Sequence, residues 1–213
     1  MASAVDIGNL ALAHLGEDPA ITSLDAPPTG GAHAKKAAIF YPMARDALLE
    51  MHDWGFATRR VVLAELDEDT LADGGERPAG YNFGYAFPNE CVKIQRIIPV
   101  EATDDTASQD FLVEILDSGD KVVWTNVEDA CAIYTELITD TTKFTPLFVS
   151  ALAHMLASHL AGPIIKGREG RSVAAEHLKH AMLVVGQAAA SDANARQQAD
   201  YTSREPAPIS ARR

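Results

Sequence analysis

Between residues 3 and 15 the apolar positions Ile7, Leu10, Ala11 and Leu15 fall near the 3.6-residue period of one helical face. Ser3 stands where an N-cap should, Asp6 suits the positive helix start, and Gly16 supplies the stop. Residues 17–31 then read as a loop rich in Pro and Gly, pinned by Ile21 and Leu24. A second helix is expected over 32–52. Pro42 lies inside it and, lacking a backbone N–H, should kink or divide it.

After Trp54 the period changes. Segments 56–63, 83–87, 92–98, 111–116, 121–125 and 130–137 suit short, half-buried strands. Asp117-Ser118-Gly119-Asp120 is a hairpin signal, with Gly119 supplying a positive φ. Together the strands predict a small antiparallel sheet or partial barrel. Helix returns at Thr145, an N-cap followed by Pro146 at the first helical position. Phe148, Leu152, Met155, Leu156, His159 and Leu160 form an apolar stripe that Gly162-Pro163 should end. A last helix over 172–199 would span about 40 Å, with Ala174, Leu178, Ala181, Leu183, Val185 and Ala188 as its contacts.

The fold class expected is therefore α+β: a helical bundle built from N- and C-terminal helices with an inserted small antiparallel β module. Residues 1–55 supply the first helices, 56–142 the module, 143–200 the last helices and 201–213 an extended tail. Leu10, Leu15, Leu48, Leu49, Leu152, Leu156 and Leu160 should share one core.

Composition changes this picture little, and charge changes it more. A chain of 213 residues with 47% hydrophobic and 23% charged residues is ordinary for a globular protein of one domain or one with an insertion. The net charge is −12, yet residues 61–142 alone carry 18 acidic and 4 basic side chains, or −14, while 143–213 carry 5 acidic and 9 basic, or +4. So acidic a balance argues against wrapping of DNA, which needs a basic footprint. No uninterrupted apolar run approaches the roughly 18 residues of a membrane span, and the N-terminus lacks a secretion pattern, so neither a membrane association nor classical secretion is expected.

Candidate chemistry is sparse. His177 and His180 lie three apart on one helical face beside Glu176, a spacing that metal sites use, but without further partners a structural role is the better reading. His154 and His159 are five apart, on different faces. Cys91 and Cys131 read as small buried residues on strands. No HExxH, GxSxG, GxxxxGK[ST] or GxGxxG motif occurs. No metal, cofactor or catalytic residue is expected, and binding or assembly is the default.

Several strings nevertheless occur together in a telling order. They are Leu12-Ala13-His14-Leu15-Gly16-Glu17 with Ile21-Thr22-Ser23-Leu24, and Tyr41-Pro42-Met43-Ala44-Arg45 with Leu48-Leu49. Then follow Trp54-Gly55-Phe56-Ala57, Tyr85-Ala86-Phe87-Pro88, Thr125-Asn126, Tyr134-Thr135, and the Phe144, Pro146, Phe148, Ala151 series ending in Leu156-Ala157-x-x-Leu160-Ala161-x-Pro163. Over residues 4 to 165 this order resembles the head-to-tail adaptors of short-tailed phages, also called tail tubular protein A. Beyond Gly167 only the Ala-rich helical character is similar. Trp54, Phe56, Tyr85 and Phe87 would be core anchors joining sheet to helices.

The resemblance implies a non-enzymatic virion protein, made in the host bacterial cytoplasm. About a dozen copies would form a ring under the portal protein, extending the DNA channel and offering a platform to the tail nozzle or tail tube. On that reading the tail residues Arg204, Ile209, Arg212 and Arg213 are candidates for portal binding. Asp104, Asp105, Asp117 and Asp120, in turns of the acidic module, are candidates for a channel lining that DNA crosses without specific binding. The alternative is a virion-associated peptidoglycan hydrolase, which needs a carboxylate of raised pKa in a cleft.

Overall fold

Reciprocal capping starts the first helix, α1 (Ala4–His14). The Ser3 hydroxyl accepts from the Asp6 N–H at 3.1 Å, and the Asp6 carboxylate accepts from the Ser3 N–H at 2.8 Å. The Ser3 N–H first, and then the Ser3 hydroxyl, which also donates to this carboxylate at 2.8 Å, hold the Asp6 carboxyl below its usual pKa. The computed structural model describes residues 2–25, 28–29, 31–67, 77–102 and 107–195. α1 buries Ile7, Gly8, Ala11 and Leu12. That face is centred between Ile7 and Leu12, which turns Leu10 to the outer edge, 39% exposed, so Leu10 does not join the expected core. Leu15 packs against it only in part. The following loop is fixed by Asn9, whose amide donates to the Ile21 carbonyl and accepts from the Ile21 N–H, both at 2.9 Å.

Helix α2 (Gly31–Met51) runs unbroken through Pro42, so the proline does not divide it. Pro42 is exposed, and the carbonyl left without its N–H partner is on the side where water can serve it. Helix α3 (Pro146–Ile165) opens on Thr145, whose hydroxyl accepts from the Phe148 N–H at 3.3 Å. It does not stop at Gly162-Pro163 as expected but continues to Ile165. The Pro163 carbonyl is engaged by the Lys36 ammonium at 3.1 Å, and the chain reverses only where Lys166 and Gly167 take φ of 64° and 63°. Helix α4 (Gly167–Ala195) starts from that reversal, five residues before the expected start.

α3 is the centre of the bundle and touches the other three helices. Consecutive burial of Ala151-Leu152-Ala153 and Met155-Leu156-Ala157 requires cover on every side. Its 18-residue mean hydropathy of 1.5 makes it long and apolar enough, by composition, to cross a membrane. No uninterrupted apolar run occurs, as expected, because Ser150, His154, Ser158 and His159 break it; they lower the mean but leave it high. Here the helix is a core element.

α4 meets α3 through small residues. Gly170, Ala181, Val184 and Ala188 are buried, and a Cβ on Gly170 would stand 3.0 Å from the Ala161 carbonyl oxygen. Backbones this close leave no room for leucine. Leu178 and Leu183, expected as contacts, lie off the face that buries Ala181, Val184 and Ala188 and are 43% and 55% exposed. Leu48, Leu49, Leu152, Leu156 and Leu160 do share one core, with Ile7, Leu12, Trp54 and Phe148.

The strands keep their expected places but divide into two three-stranded antiparallel sheets rather than one. β1 (Thr58–Val62), β6 (Ala130–Glu136) and β3 (Cys91–Pro99) form the first, in the order β1-β6-β3. β2 (Phe83–Ala86), β5 (Lys121–Thr125) and β4 (Phe111–Ile115) form the second, in the order β2-β5-β4. Between β5 and β6, Asp129 takes a φ of 51° and the chain changes sheets. Leu63, Ile97, Ala130 and Ala132 from the first sheet pack with Tyr85 and Val123 from the second. On the far face of the second sheet Val122 and Trp124 pack with Leu116, Leu66 and Tyr81.

The aromatic anchors therefore have divided duties. Trp54 and Phe56 belong to the helical core, where the Trp54 indole donates to the Leu48 carbonyl at 2.7 Å and stands edge-on to Phe148 at 5.2 Å. Tyr85 and Phe87 lie inside the β module, and the Tyr85 hydroxyl donates to the Val127 carbonyl at 2.8 Å. They do not join sheet to helices, because the second sheet stands one layer away from the bundle. Gly55, just past α2, is tied instead to the end of α4: its N–H donates to the Asp192 carboxylate at 2.9 and 3.2 Å.

Candidate functional site

Of the eight site residues expected from sequence, Asp117 and Asp120 fall on described residues. Asp104, Asp105, Arg204, Ile209, Arg212 and Arg213 lie outside them. Asp117 and Asp120 occupy the β4–β5 hairpin. Leu116 donates to the Asp120 carbonyl at 2.8 Å, and Gly119, at φ 91°, donates back to the Leu116 carbonyl at 2.8 Å. Only a residue at ease with positive φ fits there. The Ser118 hydroxyl donates to the Asp120 carboxylate at 3.0 Å. Both aspartates are exposed, while the strand residue Glu114 is half-buried, so the hairpin presents its charge to solvent.

Beside the hairpin lies an open cleft of about 510 Å³, lined by Leu66, Phe87, Glu90, Cys91, Asp120 and Lys121 among others. The Lys121 ammonium sits 5.0 Å from the Phe87 ring centroid, a cation–π contact that holds it over the cleft wall. Burial pushes the Cys91 thiol up to about 12, with Lys121 pulling weakly the other way. A thiol held protonated is no nucleophile at neutral pH. Cys91 is free, as is Cys131 one strand away, and both are half-buried on strands rather than fully buried. The cleft offers a carboxylate, an ammonium and an apolar floor.

No protein-family model matches this chain, and no curated protein is significantly similar to it.

The structure gathers one group of side chains that the sequence did not. His14 from the last turn of α1, His154 from α3, and His177 and His180 from α4 meet at one junction. His14 stacks on His154 with ring centroids 4.1 Å apart, His180 stands edge-on to His154 at 4.5 Å, and the Nδ1 atoms of His154 and His177 are 3.3 Å apart. The i, i+3 spacing of His177 and His180 was the only sequence signal, and it did place them on one face. Their partners stand more than twenty and more than a hundred and fifty residues away, so only packing reveals them. His159 does project elsewhere, stacking on Phe40 of α2 at 5.7 Å, and burial lowers its pKa. Among the described residues, no group of three or more His, Cys, Asp or Glu is arranged to hold a metal ion.

Proposed function

We propose that this chain is a head-to-tail adaptor of a short-tailed phage. About a dozen copies would stand as a ring between the portal and the tail nozzle, around a channel that DNA crosses without specific binding. The observation that carries the reading is the architecture: a bundle closed by helices from both sides of an inserted β module, in the element order the resemblance implies. A second feature supports it. Ile39 and Met43, four apart on α2, are 63% and 57% exposed, and Leu178, Met182 and Leu183 are exposed on α4. Two different apolar faces on one subunit suit the head-to-tail contacts that close a ring. The exposed Asp117 and Asp120 suit a lining that repels phosphate within the reach of about 8 Å that physiological salt allows. In this role the protein belongs to the head–tail junction of the virion and needs no cofactor.

Native mass spectrometry of the full chain, alone and mixed with purified portal, tests the proposal. A closed ring of about a dozen subunits on the portal is expected. A chain that stays monomeric and passes the portal without binding would overturn it. Clearing of a peptidoglycan gel by the purified chain would favour the hydrolase reading instead.

A further inference from the structure

The four-histidine junction joins three helices that are distant in sequence, and its chemistry depends on protons. We propose that His14, His154, His177 and His180 form an acid-sensitive latch that holds the end of α1 and the first half of α4 on α3 when neutral, and releases them when protonated. The inference is independent of the adaptor reading.

The geometry sets how many protons the junction tolerates. Nδ1 of His154 and Nδ1 of His177 are 3.3 Å apart, so one must carry hydrogen and the other must accept it. A single added proton can leave that bond in place. A second puts two donors face to face and costs the bond as well as adding repulsion. His14, stacked at 4.1 Å, and His180, edge-on at 4.5 Å, bring further imidazoles within range of the same ring. Every packed element contributes a base here: α1 brings His14, α3 brings His154, and α4 brings His177 and His180. The nearby charged groups do not compensate. Glu176 and Lys179 on α4 are exposed, and Glu17, after α1, stands 3.9 Å from His33 instead. Burial first, and then the neighbouring histidines, lower the pKa of His14 and bring that of His154 to about 4.

The direction follows from linkage. A histidine whose pKa is depressed in the closed state binds protons more readily when released. The latch is therefore at full strength above the ordinary histidine pKa of about 6.5 and is lost as pH falls from there toward about 4. For His154 alone, these two values shift the closed–open balance at pH 5 by at most about thirtyfold, and by about tenfold once solvent screening of a half-buried ring is allowed for. The first half of α4 is where such a shift would act. Between Gly167 and His180 only Gly170 is fully buried, whereas Ala181, Val184 and Ala188 anchor the second half and Asp192 ties its end to Gly55.

Hydrogen exchange on the full chain, corrected for the intrinsic pH dependence of exchange, reads the latch directly. Between pH 7.5 and pH 5, amides in residues 10–15 and 168–180 should lose about tenfold in protection, while Val122 and Val123 in β5 keep theirs. His154→Gln, which cannot take up a proton, should flatten the change, and His180→Gln at the exposed edge should shrink it. Histidine ring NMR of the unmodified chain gives a reading that no variant can confound: His154 should titrate well below 6.5. Protection at the junction that is level between pH 7.5 and pH 5, or a His154 titrating at or above 6.5, would overturn the proposal.

Discussion

Replacing Leu156 with Ala tests the bundle at its centre. Leu156 is 0% exposed on α3, the helix that all others touch. The substitution removes three carbon groups, worth about 2.4 kcal/mol at roughly 0.8 kcal/mol each. A cavity adds to this, because small neighbours such as Ala153 and Ala157 on the same helix cannot reach across to fill it. The total should be about 3–5 kcal/mol, or about 6–20 °C in Tm for a chain of this size. The two tryptophans let the assay assign the loss. Trp54 is buried in the helical core and Trp124 in the outer cluster of the β module. The Trp124 indole N–H has no hydrogen-bond partner among the described residues, so Trp124→Phe sacrifices no such bond and leaves Trp54 as the sole reporter of the bundle. In that background, urea unfolding followed by Trp54 fluorescence should show Leu156→Ala lowering the midpoint at unchanged slope. A loss under about 1 kcal/mol would mean that Leu156 is not enclosed and that the helices are not packed as described.

Gly170→Ala should destabilise by about 1–2 kcal/mol, since the new methyl meets the Ala161 carbonyl at 3.0 Å and overpacking outweighs the helix-propensity gain; Gly186→Ala, with nothing within 4 Å, should stabilise by up to about 1 kcal/mol, both read by thermal melting. Leu183→Glu should leave the fold within about 0.5 kcal/mol and reduce self-association in sedimentation. Deleting residues 203–213 should keep the melting temperature and weaken portal attachment in a pull-down. Asp117→Lys with Asp120→Lys should slow DNA release from assembled particles in a triggered-ejection assay, because lysines hold phosphate by releasing counterions.

Local signals carried most of the secondary structure. Ser3 with Asp6 and Thr145 with Pro146 mark helix starts through bonds made within four residues, and Gly119 marks its hairpin through φ alone; each stands where expected. Errors came where packing decided. Gly162-Pro163 reads as a stop, but Lys36, far away in sequence, engages the Pro163 carbonyl and the helix goes on. Leu178 and Leu183 read as contacts, but the buried face of α4 runs through Ala181, Val184 and Ala188 and leaves both leucines exposed. The division into two sheets rests on which strands pair, β1-β6-β3 and β2-β5-β4, and these, the β4–β5 hairpin aside, are partners distant in sequence that no local pattern names. The histidine junction was half legible, since spacing places His177 beside His180 but cannot bring His14 and His154 to them.

Cryo-electron microscopy of the full chain bound to its portal tests the central claim most directly. The account predicts a ring in which the outer faces of α2 and α4 meet between neighbours, Ile39 and Met43 of one subunit against Leu178, Met182 and Leu183 of the next, with the Asp117–Asp120 hairpin toward the channel. A ring with those side chains in solvent and the hairpin on the outer wall, or no ring at all, would contradict it.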